Sequence, residues 1–490
     1  MPWHGSTTMS RRESPTVEQS AGPRLGRFVI GLAVVSVAGF GAWAAGLPVP
    51  AQLTVVVFVS ALVLWVGTRL DETLVALGAA VVLVLAGVLN DTVFFGTLAG
   101  STIWLLIAAF VLAAGVSATG LTTRVATRLV ARARSVRQLA HLVTAALVAT
   151  AFAVPATSGR AALAVPVFLA LARVLSDRPR VVRALAVLFP TVILLSAVAT
   201  LIGAGAHLLT NQILAASTGM SVTFGQWLLL GVPLAVISAH TAAELVLALF
   251  TRPADRRVAL RVPVAAIAEQ VDTPVTGRLS AAQRRAALVL AAVVVTWCTE
   301  ALHGLDPALV ALAGALVLSA PRVGVVSLGD ALKGVPWSLL LFMAATAALA
   351  AALITSGAAG WLAGAVFGPL DGGPPWLFLA VVVVASVAAH LVIQSRTARS
   401  SVLVPLVVPA AIALGLNPVA VAFASTAAAG FCHTLTSSAK PVAMFARIDD
   451  VTTYDARDLL RLSMWLAPLT AALVLCCSLF VWPHLGLPLR

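Results

Sequence analysis

Apolar segments long enough to cross a bilayer alternate with short polar segments along almost the whole chain. A helix needs about 20 apolar residues to cross roughly 30 Å of hydrocarbon. Single crossings are predicted at about 28–46, 52–68, 73–89, 102–120 and 226–250, and again at about 286–304, 307–320, 336–357 and 462–482. This pattern predicts an all-α polytopic membrane protein with about 11 transmembrane crossings.

Two apolar segments, 139–172 and 376–413, are too long for one crossing and too short for two. Each carries polar residues in its middle, and arginines flank the first segment on both sides. This predicts two re-entrant hairpins, each entering and leaving the membrane by one face. Polar or glycine-rich turns interrupt the segments 184–216 and 418–446, which predicts two broken helices. Irregular backbone is tolerated at membrane depth only inside protein or beside a water-filled cavity.

The basic residues predict which loops face the cytoplasm. Arg and Lys cluster at 124–137, 173–183 and 252–285, whereas the loops at 90–101 and 358–375 contain neither. Basic residues accumulate in the cytoplasmic loops of membrane proteins. The N-terminus is therefore predicted to be cytoplasmic and the C-terminus outside, in a multi-pass protein of the inner (plasma) membrane.

The order of span, hairpin, broken helix and span occurs twice, in 52–250 and in 286–482. The first unit contains an odd number of crossings, so the second unit starts from the opposite face. The repeat is therefore predicted to be inverted, and its two hairpins enter from opposite sides toward the bilayer centre. Inverted-repeat transporters build their binding sites at the midplane from such broken elements.

The composition excludes a soluble domain. The chain is 60% hydrophobic and 10% charged, whereas soluble domains carry about 25% charged residues. The net charge of +13 comes from basic segments that flank the spans, so it indicates membrane topology and not nucleic-acid binding. The cysteines lie in apolar sequence without metal-ligand spacing, which predicts no disulfide, resident metal or cofactor; they are Cys298, Cys432, Cys476 and Cys477.

Four positive charges lie inside otherwise apolar segments: Arg160, Arg396, Arg399 and Lys440. An ionised side chain at membrane depth costs several kcal/mol unless it is paired, so it indicates a functional site. The acids within predicted spans are Glu244 and Glu300, too few to neutralise four cations. The sequence therefore predicts that the missing partner is a mobile anion, and the lipid bilayer is the surrounding medium.

The two hairpin tips can be superposed arginine on arginine. Arg160 lies six residues before Pro166, and Arg399 lies six residues before Pro405. A guanidinium group binds oxyanions with two parallel hydrogen bonds, which a lysine does not match. Two facing guanidinium groups, with neighbouring hydroxyls and helix N-termini, predict a site for a dianion.

The predicted substrate-binding residues come from the two tips and the two broken-helix turns; they are Thr157, Ser158, Gly159, Arg160, Gly203, Gly205, His207, Ser395, Arg396, Thr397, Arg399, Thr436, Ser437, Ser438 and Lys440. His240 and Glu244 are spaced i, i+4 and share a helix face, as either a proton relay or a helix-packing pair. His207 can titrate near neutrality, with a hydrogen-bonded structural role as the alternative.

The repeated order of span, hairpin, broken helix and span resembles the divalent anion/sodium symporter family over about 52–482. In that family each hairpin tip carries Ser-Asn-Thr ten residues before a proline. This chain has Ala156-Thr157-Ser158 before Pro166 and Ser395-Arg396-Thr397 before Pro405. Both tips lack the asparagine, and the broken-helix turns also depart from the family pattern.

The resemblance implies a division into a scaffold and a mobile transport domain, in a homodimer that works by elevator-type motion. The segments are a disordered cytoplasmic tail at 1–27, scaffold helices at 28–120 and 286–357, transport-domain halves at 139–250 and 376–482, and a cytoplasmic linker at 251–285. It also implies a secondary active transporter of a small divalent anion, with C4-dicarboxylate or sulfate favoured.

The coupling ion separates the remaining alternatives. Family members are implied to hold sodium beside the hairpin tips, where a fixed guanidinium group about 4–6 Å away would repel it by several kcal/mol. Proton coupling or exchange is therefore predicted, with a sodium-coupled symporter or a carrier of arsenite or another ion as alternatives. A cation/proton antiporter would need Asp or Glu at the tips, and a membrane enzyme would need a catalytic constellation; neither appears, so the protein is predicted not to be an enzyme.

Overall fold

The computed structural model describes residues 22–68, 70–257, 259–260, 262–268, 275–448 and 451–490. Every regular element in these ranges is helical, which confirms the all-α polytopic prediction. Nine of the described helices are long and apolar enough to cross a membrane, or ten if the sharply bent pair at 358–370 and 375–391 forms one span. The predicted number of about 11 crossings stays a prediction.

The described residues of the first half form eleven α-helices. They are α1 (Gly22–Ala44), α2 (Val49–Gly67), α3 (Glu72–Leu85), α4 (Asp91–Ala99), α5 (Ser101–Ala118), α6 (Leu121–Val130), α7 (Val136–Thr150), α8 (Thr157–Val174), α9 (Pro179–Leu195), α10 (Gly205–Thr218) and α11 (Phe224–Phe250). Helices α7 and α8 form hairpin 1, and α9 and α10 are the two parts of the first broken helix.

The described part of the linker contains α12 (Pro253–Arg257) and α13 (Val264–Ala268). The second half contains α14 (Ala281–Cys298), α15 (Glu300–His303), α16 (Pro307–Ser319), α17 (Leu328–Lys333), α18 (Trp337–Thr355), α19 (Ala358–Phe367), α20 (Pro375–Ala388), α21 (Arg396–Ala413), α22 (Pro418–Ala428), α23 (Lys440–Ala446) and α24 (Ala456–Cys476). Helices α20 and α21 form hairpin 2, and α22 and α23 are the parts of the second broken helix.

Contacts between the halves follow a crosswise pattern. Helix α3 packs against α18 and α5 against α16, while α10 packs against α21 and α23 against α8. An internal two-fold axis produces such reciprocal pairs, because each contact is generated twice. The pattern agrees with the inverted repeat predicted from the sequence.

The two ends of hairpin 1 meet the same linker. The Leu260 amide donates to the carbonyl of Arg134, just before α7, at 2.9 Å. Arg178, just after α8, reaches the Ala259 carbonyl at 3.5 Å. The ends of hairpin 2 likewise share one apolar cluster, with Phe378 of α20 and Ala411 of α21 packed together. Each hairpin therefore begins and ends on one side, as a re-entrant segment does.

Two predicted loops contain helices. Helix α4 lies within 90–101, and α19 lies within 358–375. Helix α19 and helix α6 occupy matching places: each has ten residues, precedes a hairpin and follows a glycine with positive φ, Gly357 at 80° and Gly120 at 67°. The left-handed conformation favours glycine there, so each glycine turns the chain from a span into a short arm that leads to a hairpin.

Candidate anion site

The second helix of each hairpin presents its arginine at the same position. Helices α8 and α21 each contain 18 residues. Arg160 and Arg399 are the fourth residues of these helices, and Pro166 and Pro405 are the tenth. The helix starts differ, because Ser395 caps α21 by accepting from the Ala398 amide at 3.3 Å, whereas α8 begins without a side-chain cap.

Arg160 is fully buried and bonded to protein acceptors. Its Nη2 donates to the Leu147 carbonyl at 2.6 Å and to Ser196 Oγ at 2.7 Å. Its Nη1 donates to the Ile193 carbonyl at 3.0 Å, and its Nε donates to Thr150 Oγ1 at 2.9 Å. Arg160 therefore ties the two arms of hairpin 1 to the end of α9, and this arrangement leaves no guanidinium nitrogen free for a ligand.

Arg399 is also fully buried, but most of its donors are free. Its Nη1 donates to the Phe431 carbonyl at 2.8 Å, and the Cys432 side chain lies near the guanidinium group. Nε and Nη2 have no hydrogen-bond partner of normal geometry among the described residues. Arg396 repeats this state, since its Nε and Nη2 are buried without a described partner and its Nη1 lies 3.5 Å from the Leu194 carbonyl. Nε and Nη2 form the side-on face of a guanidinium group, which binds a carboxylate through two parallel bonds.

Arginines from opposite hairpins converge on the last turn of α9. Arg160 bonds the carbonyl of Ile193, and Arg396 approaches that of Leu194. The negative end of a helix dipole favours cations there. Arg396 also lies within electrostatic range of Arg160 and Arg399. The ion pairs of the described residues involve none of these three arginines, so no described carboxylate neutralises the cluster.

The breaks of the two broken helices form the other wall of the site. The first lies at 196–204 and the second at 429–439. The first break therefore begins before Gly203, the earliest residue predicted for that turn. The helices after the breaks start alike: Ala204 has φ −156° and ψ 148°, and Ala439 has φ −157° and ψ 148°. Gly205 and Lys440 are consequently the first residues of α10 and α23, not parts of the turns.

Glycine permits close approach in both breaks. A Cβ on Gly203 would lie 2.1 Å from the Ala197 carbonyl oxygen, and a Cβ on Gly430 would lie 2.6 Å from Nη2 of Arg396. A side chain at either position would push the backbone or the guanidinium group aside. These glycines therefore allow the turns to fold tightly and let Arg396 rest on the second break.

The remaining predicted residues divide between the site and its surface. Thr397 Oγ1 faces the start of α10, 3.4 Å from the position of a Cβ on Gly205. Ser438 is buried and accepts from the Leu435 amide at 2.8 Å. The other predicted hydroxyls and the lysine are half-buried or exposed; Thr157, Ser158 and Gly159 are half-buried, and Thr436, Ser437 and Lys440 are exposed.

Two buried histidines have one free ring nitrogen each. His207 Nδ1 lies 3.0 Å from the Thr200 carbonyl, and its Nε2 has no described partner. His433 Nδ1 accepts from the Cys432 amide at 3.3 Å. Its ring also lies near the Thr191 backbone, and its Nε2 makes no hydrogen bond of normal geometry to a described residue. Both lie within electrostatic range of Arg396, which places them beside the arginine cluster.

The predicted pair His240 and Glu244 belongs to a different cluster. His240 Nδ1 lies 2.8 Å from His141 Nδ1, while Glu244 lies 2.6 Å from both His141 Nε2 and Arg137 Nε. His141 precedes Thr150, at the hairpin tip, by nine residues of α7, which is about 13 Å along a helix. The cluster joins α7 to α11 away from the arginines.

The Ser400 hydroxyl, which the sequence offers as a further donor beside Arg399, is buried without a described partner. Sequence reasoning missed two polar residues. Glu72 lies near Ser395 of hairpin 2, and His141 completes the cluster at Glu244. Both gain their meaning from contacts between distant segments, which no local pattern shows.

Comparisons with known proteins agree with the predicted class. A family model described as the sodium:sulfate symporter transmembrane region matches residues 24–487. A membrane protein of Cupriavidus necator is 26% identical, with 74% of each chain covered. The crystal structure of the YdaH transporter of Alcanivorax borkumensis covers 90% of this chain and 99% of its own, at 18% identity and a TM-score of 0.54. This likeness shows a shared fold.

Proposed function

Because the chain belongs to the sodium:sulfate symporter family, we propose that it is a secondary active transporter of a small divalent anion. C4-dicarboxylates and sulfate are the favoured substrates. The family is one of transporters, which supports transport across the membrane as the function.

One observation supports the site more than any other. Arg396 and Arg399 each keep Nε and Nη2 buried and without a described partner. A buried donor without a partner costs about 1–3 kcal/mol, and more when it is charged. Two guanidinium groups with the same free face would each donate two hydrogen bonds, to one carboxylate of a dicarboxylate or to two oxygens of sulfate, and these bonds would offset that cost.

Other polar groups complete the proposed site. Thr397 and Ser400 supply hydroxyls beside the arginines, and His207 and His433 each supply a ring nitrogen. Arg160 is proposed to contribute positive potential from behind the site, since it lies within range of Arg396 while bonding protein acceptors. Thr157, Ser158, Gly159, Ser395, Thr436, Ser437 and Ser438 remain proposed as the rim of the site along the hairpin tips and the second break.

Proton coupling or anion exchange is proposed as the transport mode. The arginine cluster has no described acidic partner, and a sodium ion beside it would be repelled. His141, His240 and Glu244 are proposed as a proton relay at the end of hairpin 1 remote from the tip. The description of the family favours a second candidate, sodium-coupled symport.

Elevator-type motion in a homodimer is proposed for the conformational cycle. The scaffold at 28–120 and 286–357 would stay fixed, while hairpins, broken helices, α11 and α24 move together. The packing of α10 on α21 and of α23 on α8 supports movement of the two transport-domain halves as one body. The protein is proposed to reside in the plasma membrane with a cytoplasmic N-terminus.

Binding and uptake assays test the proposal. Purified protein is heated with succinate, citrate, sulfate, phosphate or arsenite, with and without sodium; a ligand of the folded state raises the melting temperature by mass action. We expect a dianion to stabilise the protein without sodium. Uptake into proteoliposomes should persist when choline replaces sodium.

Failure of every anion to stabilise or to enter would contradict the transport proposal. Arsenite as the only stabilising species would favour the alternative carrier class. Strict sodium dependence with normal anion binding would leave the substrate proposal standing and overturn the coupling proposal.

A further inference from the structure

The first arm of hairpin 2 ends in a buried histidine that reaches across to the second break. His390 lies in the 3-10 turn Ala389–Leu391, directly after α20. Its Nδ1 meets the carbonyl of Val387, which can only accept a hydrogen bond, so Nδ1 carries the proton and donates. Nε2 of the neutral ring therefore accepts from the hydroxyl of Thr434, at 2.7 Å. The side chain thus joins its own arm to a residue of the break.

The imidazole ring also packs on the break through an aromatic contact. It meets the ring of Phe431 edge to face, with the two centroids 4.9 Å apart. The Phe431 carbonyl in turn accepts a hydrogen bond from Arg399 Nη1 at 2.8 Å. His390 therefore contacts the segment 431–434 at both of its ends, and the first residue of that segment holds the guanidinium group.

Hairpin 1 makes a matching link without a histidine. Ala151 precedes Arg160 by nine residues, as His390 precedes Arg399. The hydroxyl of Thr200, in the first break, donates to the Ala151 carbonyl at 3.0 Å. A threonine of each break therefore bonds the matching position of its hairpin. In hairpin 1 the acceptor is the backbone, whereas in hairpin 2 it is an imidazole, which a substitution can remove.

We propose that His390 is a positioning residue of the anion site. By holding Phe431 and Thr434, it fixes the orientation in which Arg399 presents Nε and Nη2. This inference rests on the proposed transport function and names the residue that prepares one of its arginines. Two parallel hydrogen bonds to an oxyanion require a guanidinium plane of fixed orientation. A site keeps such an orientation only when the residues behind it are themselves held by packing and hydrogen bonds.

Four substitutions separate positioning from general stability. Thr434→Val removes the hydroxyl and keeps the branched shape, whereas Thr434→Ser keeps the hydroxyl. His390→Phe keeps an aromatic ring against Phe431 and removes the acceptor. Ser386→Ala is the matched control, because Ser386 of the same arm forms a buried hydroxyl pair with Ser425 of α22 at 2.8 Å. That pair lies ahead of the break, so its loss should lower stability and leave the break unchanged.

Calorimetric titration with succinate and with sulfate measures the consequence for binding. Thr434→Val and His390→Phe should each bind the dianion about three- to tenfold more weakly, the range that corresponds to one hydrogen bond. Thr434→Ser and Ser386→Ala should bind like the wild type. The double variant of His390→Phe and Thr434→Val should bind no more weakly than the weaker single variant, because both substitutions break the same contact.

Thiol labelling follows the segment 431–434 without any anion. Cys432 lies inside the segment, and its side chain is buried. In a chain whose other cysteines are replaced by Ala, N-ethylmaleimide should label Cys432 about tenfold faster in Thr434→Val and in His390→Phe than in the parent chain, because local opening of the segment exposes the thiol. Ser386→Ala should be labelled at the rate of the parent chain.

If Thr434→Val and His390→Phe bound the dianion with wild-type affinity, the inference would be wrong. It would also be wrong if Thr434→Ser or Ser386→Ala lost as much affinity, because the loss would then reflect general destabilisation. If neither dianion binds the wild type, the proposed function fails on its own, and the labelling of Cys432 decides about His390. Faster labelling in both test variants supports its hold on the segment, and labelling at the parent rate refutes it.

Discussion

Arg160 in hairpin 1 and Arg399 in hairpin 2 occupy the fourth position of helices of equal length, six residues before a proline. Both side chains are fully buried. Arg160 makes four hydrogen bonds, to two carbonyls and two hydroxyls. Arg399 makes one bond to a carbonyl and keeps Nε and Nη2 without a described partner.

The difference arises from what each broken helix offers. The break after α9 begins with Ser196, and the hairpin 1 arm ends with Thr150, so two hydroxyls meet Arg160. The break after α22 spans 429–439, and its Phe431 offers Arg399 a single carbonyl. Matching backbones can therefore assign one arginine to hold the fold and leave its counterpart for a ligand.

The largest expected effect is on anion affinity when both hairpin 2 arginines are neutralised. A charge-assisted hydrogen bond contributes about 1.5–3 kcal/mol, so Arg396→Gln with Arg399→Gln should weaken binding by about 10²- to 10⁴-fold. Titration calorimetry with the transported anion measures this loss. Arg132→Gln, at an exposed position between α6 and α7, is the matched control and should bind normally. If the double variant bound the anion with wild-type affinity, the proposal that hairpin 2 forms the anion site would be wrong.

The next effect concerns folding at hairpin 1. Arg160→Gln leaves at least two buried acceptors unpaired and should lower the free energy of unfolding by about 3 kcal/mol. Arg160→Lys should be similarly destabilised, because an ammonium group does not span the four acceptors. Thermal unfolding in detergent measures the loss, and Arg399→Gln, which gives up one bond, should lose less. If Arg160→Gln lost as much anion affinity as Arg399→Gln, both arginines would belong to the binding site. The proposed difference between the two hairpins would then be wrong.

Two serines sharpen the comparison at a smaller scale. Ser196 accepts from Arg160 Nη2 at 2.7 Å, so Ser196→Ala should cost about 1 kcal/mol of stability and little affinity. The Ser400 hydroxyl has no described partner, so Ser400→Ala should keep its stability and lose about fivefold in affinity. Melting curves and binding titrations on both variants separate the outcomes. If Ser196→Ala lost anion affinity and kept its stability, the assignment of Ser196 to folding and of Ser400 to binding would be wrong.

The sequence predicted the hairpins and the match of Arg160 with Arg399, because apolar length and proline spacing are readable along one chain. It did not predict that Arg160 is saturated. Two of the partners of Arg160 are backbone carbonyls, of Leu147 and Ile193, and a carbonyl carries no residue-specific signal. That Arg399 keeps Nε and Nη2 without a partner could not be predicted either. It depends on which backbone carbonyls of the second break face the guanidinium group.

Positions near span boundaries were harder to predict. Glu72 immediately precedes the predicted span 73–89 and was counted with the loop, although the structure makes it the first residue of α3. The first break lies at 196–204 because the chain enters 3-10 turns at Ser196, which apolar sequence hides. The approach of Arg396 to the Leu194 carbonyl joins segments more than 200 residues apart, and no local sequence pattern shows it.

The smallest expected effect separates the hairpin tip from the far end of hairpin 1. Glu244 is bonded to Arg137 and His141, and its side chain is 38% exposed, about 13 Å along α7 from the tip. Over that distance in salt solution, interactions between exposed charges are largely screened. Glu244→Gln should therefore change anion affinity at a fixed pH by less than about twofold, while altering the pH dependence of the transport rate through the proposed relay. Initial uptake rates and calorimetric affinities across the same pH range test both parts, with Glu300→Gln as a control of equal charge change. A large change in anion affinity in Glu244→Gln would mean that the relay and the anion site act as one unit. An unaltered pH profile of the transport rate would mean that Glu244 only links α7 to α11 and that other groups couple the proton.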